Sequence, residues 1–333
     1  MTRVCITGAT GFIGKQLVSS LLQKKFTLRV LVRDPHKASF FPTTVEVRQG
    51  DLTDANTLAT LCDDIDIVFH LGGYAHAAQK NNPHFVQLHH NINLQGTKNI
   101  INEAIRANVK KFIFFSSVKA VADTEVYIDE TWEQPPHSPY GIAKREAEKI
   151  VLSAKNTGMH VCVLRPALVY GPHWKGNLDN MLRAIHRGLF PALPETHNRR
   201  SMISLDDICQ AALLAAIQPQ ANGKIYFVTD EINYSTRQLY VLMCQALGKR
   251  VPRWFIPWTF FKGLATIGDL SKKYMRLQLP FNSDVLAKLF SSAHYNSTAI
   301  KHDLGFQPSQ RLETVLPRII AAYGEQLKIN KGN

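Results

Sequence analysis

Short apolar runs, separated by stretches with the period of a helix, set the organisation of this 333-residue chain. Val4-Cys5-Ile6, Thr27–Val32, Val45–Arg48, Asp66–Leu71, Phe112–Phe115 and Lys224–Thr229 read as strands. Gly11 through Leu22 is apolar at Phe12, Ile13, Leu17, Val18, Leu21 and Leu22, close to a 3.6-residue period. Further helices are predicted over Asp54–Cys62, from about His84 to Asn108, from Tyr140, over Leu178–Arg187 and Asp206–Ile217, and from Ser235, where Ser-Thr-Arg-Gln has capping-box spacing. Alternating strands and helices predict an α/β fold, a doubly wound parallel sheet with right-handed crossovers. Ligands in such sheets lie beyond the carboxyl ends of the strands, where Gly8, Arg33, Gly72 and Ser117 all fall.

Thr7-Gly-Ala-Thr10-Gly11-Phe12-Ile13-Gly14 links the first strand to the first helix. Gly8 suits a tight turn, Gly11 a close approach to a pyrophosphate, and Gly14 close helix–strand packing. The free N–H groups and dipole of the helix start face the phosphates. This predicts a Rossmann-type dinucleotide domain over 1–170, with 202–230 returning to it. Residues 171–201 and 231–333 form a smaller C-terminal substrate-binding lobe. The second strand ends at Arg33-Asp34-Pro35, with Lys37 close behind. An acid at this place suits a ribose 2′-OH and an arginine suits a 2′-phosphate. NADP is therefore placed ahead of NAD, with Asp34 keeping NAD open. Asp51 follows the third strand and could approach the adenine.

Composition changes the picture little. Hydrophobic residues make up 45% and charged residues 20%, a globular balance. No charge-free run reaches transmembrane length, so no stable membrane insertion is expected. The start Met-Thr-Arg-Val-Cys enters a strand directly, which predicts a cytoplasmic protein. Five cysteines lack Cys-x-x-Cys spacing and read as reduced core residues. The formal charge of +13 is spread without a basic block or a nucleic-acid motif, so no nucleic-acid partner is expected. Either the field steers anionic ligands, or it is a solvated surface. No His/Cys cluster has metal-ligand spacing, so no metal is predicted.

The second constellation is Tyr140-Gly-Ile-Ala-Lys144. Four-residue spacing puts phenol and ammonium on one helical face. A nearby ammonium stabilises a phenolate and brings its pKa toward the working range. Ser117 could hydrogen-bond a substrate oxygen whose charge changes. A positioned proton donor with a positioned hydride is what carbonyl reduction needs.

With these motifs the chain resembles the extended short-chain dehydrogenase/reductase family over essentially its whole length. The resemblance rests on Thr7-Gly-x-x-Gly-x-x-Gly14, Asp51-Leu52, Asn93-x-x-Gly96-Thr97, Ser116-Ser117, Tyr140-x-x-x-Lys144 and Arg165-Pro166-x-x-Val169-Tyr170-Gly171-Pro172. It implies Tyr140 as acid/base and Ser117 as its partner. Lys144 would hold the nicotinamide ribose and lower the tyrosine pKa, and Asn93 would support the proton relay. Cofactor contacts would come from Gly8, Thr10, Gly11, Phe12, Ile13, Gly14, Arg33, Asp51, Leu52, Leu71, Gly72, Gly73, Tyr140, Lys144 and Pro166. Gly72-Gly73 replaces the family's Ala-Ala and is expected to leave room for the cofactor. Ala120-Val121-Ala122 replaces the family's Val-Tyr-Gly, which removes an aromatic from the sugar pocket. A homodimer through a four-helix contact is also implied.

A narrower resemblance is to bacterial enzymes acting at C4 of UDP-N-acetyl sugars, the N-acetylquinovosamine 4-ketoreductases and their epimerase relatives. Ser116-Ser117-Val118-Lys119, Gly171-Pro172-His-Trp-Lys175-Gly176-Asn177 and His197-Asn198-Arg199-Arg200-Ser201 carry it. It implies a nucleotide-sugar substrate and reduction of its 4-keto group, with 4-epimerisation, a lipophilic ketone and a silent dinucleotide sensor as rivals. Arg199 or Arg200 suits the pyrophosphate, since planar guanidinium matches phosphate oxygens. Asn177 is either a sugar contact or a plain helix start. His76 and Lys119 are either sugar contacts or polar loop residues. The aromatic cluster Pro252–Phe261 is expected to pack a lobe over the site or against a partner subunit, rather than to touch a membrane or a lipophilic substrate.

Overall fold

The computed structural model describes residues 2–75, 83–121, 127–274, 277 and 281–329. The strands are β1 (Arg3–Thr7), β2 (Thr27–Val32), β3 (Glu46–Gln49), β4 (Ile67–His70), β5 (Lys111–Phe115), β6 (His160–Pro166), β7 (Leu168–Tyr170), β8 (Arg200–Ser204), β9 (Lys224–Val228) and β10 (Asn233–Tyr234). Seven of them form one sheet in the order β3-β2-β1-β4-β5-β6-β9, and every pairing in it is parallel. The chain winds outward from β1 in both directions, which opens a crevice beyond the carboxyl ends of β1 and β4.

The helices are α1 (Phe12–Gln23), α2 (Pro83–His89), α3 (Gly96–Arg106), α4 (Pro139–Ser153), α5 (Asn177–His186), α6 (Leu205–Ile217), α7 (Thr236–Ala246), α8 (Trp258–Tyr274), α9 (Ser283–Phe290), α10 (Thr298–Leu304) and α11 (Leu312–Ile329). Along β1 the side chains alternate between two cores, as a strand buried on both faces must. Val4 and Ile6 join Leu17 of α1 and Ala212 of α6, whereas Cys5 joins Ile100 of α3 and Ala147 of α4. A third core, built on Tyr170, Leu182, Met202, Met243 and Leu316, gathers α5, α7, α8 and α11 beside the small sheet β10-β8-β7. Phe12 packs against this third core, so the nucleotide turn and the lobe adjoin. All five cysteines are buried and free.

One predicted helix differs from the structure and another carries an irregularity. Over 54–62 there is only a 3₁₀ turn, Ala55–Leu58, capped by the Asp54 carboxylate. The Thr57 hydroxyl bonds back to the Asp54 and Asp51 carbonyls, and Thr60 takes a positive φ of 65° that ends helical winding. The stretch predicted from 84 to 108 is continuously helical from Pro83 to Arg106, with a π-helical turn, His90–Gln95, between α2 and α3. Such a turn inserts extra backbone and is frequent at functional sites. Here it carries Asn93, whose carbonyl accepts the Thr97 hydroxyl at 2.7 Å.

Candidate active site

The turn after β1 is shaped for a dinucleotide. Gly8 has φ +73°, and a Cβ there would lie 2.7 Å from the Gly72 nitrogen. The Gly11 N–H donates to the Gly8 carbonyl at 2.9 Å. Gly11 then starts α1 with no side-chain cap and no acid in the first turn. The first N–H groups of the helix therefore lack a side-chain acceptor and can receive phosphate oxygens. A Cβ on Gly14 would fall 2.1 Å from the Gly8 carbonyl oxygen and 2.8 Å from Ala9 Cα. Overpacking against backbone costs about 1–3 kcal/mol, so Gly14→Ala is expected to weaken dinucleotide affinity roughly 10- to 100-fold, read by fluorescence titration with NADPH. Affinity unchanged from wild type would mean that the turn does not cradle the cofactor.

At the end of β2, Arg33 is exposed. Asp34 is turned into its own loop: Oδ1 accepts the His36 N–H at 3.1 Å, and Oδ2 lies 4.0 Å from Lys37 Nζ. Asp51 likewise accepts the backbone N–H and hydroxyl of Thr53. At Gly72-Gly73 the chain's own side chains crowd the place a Cβ would take. A Cβ at Gly72 would meet Leu52 Cδ1 at 2.5 Å, and one at Gly73 would meet Asn93 Oδ1 at 2.9 Å. Leu71 is half-buried beside them, and Pro166 is buried at the end of β6.

Ser117, Tyr140, Lys144 and Asn93 come together at the ends of β4 and β5. Ser138 caps α4 by accepting the Gly141 N–H, and Pro139 presets its first turn. Tyr140 is half-buried. Burial pushes its phenol above the ordinary range, opposed by a hydrogen bond with Ser117. The Lys144 ammonium is buried, donates to the Phe115 carbonyl at 2.7 Å and lies 4.4 Å above the Phe114 ring. Burial lowers its pKa to about 7, with Glu148 pulling the other way. Asn93 clamps the backbone of Tyr74, accepting its N–H at 2.7 Å and donating to its carbonyl at 2.9 Å. The hydrogen bond with Ser117 thus works against the burial of Tyr140.

Further residues support this site, of which His70, His89 and Glu148 carry no sequence motif of their own. His70, fully buried, bridges the Thr7 hydroxyl at 2.6 Å and the Thr97 hydroxyl at 2.9 Å. Burial and the Lys144 charge hold it neutral. His89 lies edge-on to Tyr140, with ring centres 5.5 Å apart, and its Nδ1 sits 3.1 Å from Asn93 Nδ2. A Cβ at Gly141 would come within 2.2 Å of the Lys119 carbonyl, so only glycine lets α4 approach the segment that follows Ser117. Glu148 and Arg165, each 1% exposed, pair through two bonds, and Ser116 donates to the same carboxylate at 2.5 Å. The 3.6-residue period could have flagged Glu148, one turn beyond Lys144 on α4.

The predicted substrate contacts are more scattered. Asn177 opens α5 and is exposed, as is Arg199. Arg200 starts β8 half-buried, and burial pulls its pKa down. Lys119 is exposed, and its N–H donates to Ser117 Oγ at 3.2 Å. His76 lies outside the described residues. No group of side chains with metal-site character occurs among the described residues, and no described helix is long and apolar enough to cross a membrane.

Residues 4–228 match the model of the NAD dependent epimerase/dehydratase family. The chain is 28% identical to a UDP-glucose 4-epimerase of Vibrio cholerae, over 93% of this chain and 92% of that one. It is 24% identical to the N-acetyl-alpha-D-glucosaminyl-diphospho-ditrans,octacis-undecaprenol 4-epimerase of Escherichia coli O157:H7, over 95% and 94% of the two chains. Its fold superposes on the UDP-glucose 4-epimerase of Thermotoga maritima, solved with UDP-glucose, with a TM-score of 0.77 and 22% identity over 98% of this chain and all of that one.

Proposed function

Because the chain belongs to the NAD dependent epimerase/dehydratase family, we propose that it reduces the 4-keto group of a UDP-linked 6-deoxy N-acetylhexosamine with NADPH, for surface polysaccharide synthesis in the cytoplasm. The observation that carries this reading is the end of β2. Arg33 offers an exposed cation there, while both Asp34 oxygens are directed to His36 and Lys37. A 2′-phosphate suits that arrangement better than a 2′-OH seeking an acceptor. The empty-handed N-terminus of α1 and the Gly8–Gly14 cradle fit the pyrophosphate of either dinucleotide.

When bound, such a cofactor supplies a hydride to the carbonyl carbon. Tyr140 donates the proton to the carbonyl oxygen, and Ser117 hydrogen-bonds that oxygen. Burial keeps the phenol protonated at neutral pH, the state a reduction requires of its acid. Lys144 holds the ribose side of the site, and Asn93 fixes the Tyr74 segment over it. Arg199 or Arg200 takes the UDP pyrophosphate, and Lys119 and Asn177 face the sugar.

Similarity to 4-epimerases supports a second reading, 4-epimerisation with retained NAD. The two separate on one assay. Purified protein is mixed with NADPH or NADH and a UDP-4-keto-6-deoxy-N-acetylglucosamine preparation, and cofactor absorbance is followed. The reductase consumes NADPH. Protein that arrives with bound NAD and converts UDP-N-acetylglucosamine to its C4 epimer without net cofactor use overturns the proposal. In the same assay Arg33→Ala is expected to raise the KM for NADPH about 10-fold or more, the size of a lost charge-assisted hydrogen bond, while the NADH value stays put. Equal losses for both cofactors would end the case for NADP.

A further inference from the structure

The aromatic cluster before and within α8 divides between two environments. Phe261 is 3% exposed and packs against Phe281 and Phe290, and Ile256 and Trp258 lie against the same core. This half packs the lobe. The other half faces outward: Trp254 is 65% exposed, Phe260 57%, Ile267 58%, Leu270 46% and Tyr274 72%. At 100° per residue, the outward apolar residues of α8, from Leu270 round to Leu264, fall within an arc of about 120°. Exposed Lys262 lies roughly 80° beyond one edge of that arc and exposed Lys272 roughly 80° beyond the other. Arg250 and Arg253 are exposed beside Trp254. Between 249 and 274 there are six lysines and arginines and one acid, Asp269, whose Oδ1 accepts the Ser283 N–H at 3.3 Å.

We propose that this face docks on an anionic lipid bilayer, with α8 lying in the plane of the interface. The stripe enters the acyl boundary, while Arg250 and Arg253 beside Trp254, and the long stems of Lys262 and Lys272 from farther round the helix, reach lipid phosphates. Trp254 places an amphipathic ring at headgroup level. At 17 residues, with Lys262, Asp269 and Lys272 within it, α8 lies on the bilayer and does not span it. A second copy of the chain is a poorer occupant, since face-to-face pairing brings together two segments that each carry six lysines and arginines against one acid. The overall charge of +13 favours an anionic surface in the same direction. This docking stands independently of which sugar the enzyme reduces.

The test is flotation of the full chain with vesicles of phosphatidylcholine alone or of phosphatidylcholine with phosphatidylglycerol. Wild type is expected to float with the anionic vesicles only, and to be released by high salt. Ile267→Asp and, separately, Lys262→Glu with Lys272→Glu should each lower the bound fraction about tenfold, with NADPH affinity and thermal midpoint unchanged. Three results would each overturn the proposal: no flotation of wild type with anionic vesicles, binding that survives Ile267→Asp, or a dimer in sedimentation that Ile267→Asp dissociates while no vesicle binds.

Discussion

Tyr140→Phe is expected to lower kcat for the proposed 4-keto sugar substrate by about two to four orders of magnitude, with dinucleotide affinity within a few fold of wild type. The phenol oxygen is the only atom removed. The ring, its edge contact with His89 and the first turn of α4 stay in place. The loss therefore isolates proton donation from binding. Burial raises the phenol and Ser117 tempers that rise, so Ser117→Ala should depress kcat as well, by taking away both the tempering bond and a donor to the substrate oxygen. Single-turnover absorbance at saturating NADPH is the measurement. If Tyr140→Phe retained more than about a tenth of kcat, the proton would have to come from another group, since general acid catalysis contributes more than that. His89 would then be the next group to replace.

Glu148→Gln is expected to destabilise the fold by about 3–5 kcal/mol, the cost of leaving one partner of a buried ion pair without its charge. Glu148 and Arg165 are each 1% exposed, and the guanidinium lies 5.3 Å from the Phe227 ring, away from water that could take over its hydration. Ser116 donates to the same carboxylate, so the damage reaches the residue next to Ser117. A lower urea midpoint with an unchanged slope would report it. The same variant carries a pH signature. Lys144 titrates at about 7 in the fold against an ordinary 10.5. Between those values the unfolded chain holds the extra proton, so this group makes stability rise with pH across that window and contributes no slope below it. Glu148 holds the Lys144 value up. Its neutralisation should start the rise at a lower pH. A variant as stable as wild type at every pH would show that the pair is dispensable.

Legible in the amino-acid chain were the alternation of strands and helices, the glycine turn at the head of α1, and the meeting of Tyr140 and Lys144 on one helical face. These are local properties: a period of two or of 3.6, a turn that needs glycine, a four-residue spacing. The parallel character of the sheet followed as well, because alternating strands and helices imply crossovers, whereas the strand order and the place of β6 came only with the fold. Only the tertiary structure decided where distant segments press together. The π-helical turn carries Asn93, whose side chain holds the Tyr74 backbone, a contact across 19 residues that no local period signals. His70 looked like the end of a buried strand, and only the packing of β1, β4 and α3 makes it a bridge between Thr7 and Thr97. A Cβ at Gly72 or Gly73 would run into Leu52 or Asn93, neighbours that only the fold brings there. The aromatic run ending at Phe261 divided between core and surface for the same reason. Apolar character is written in the chain, but which side of it is covered depends on what else folds against it.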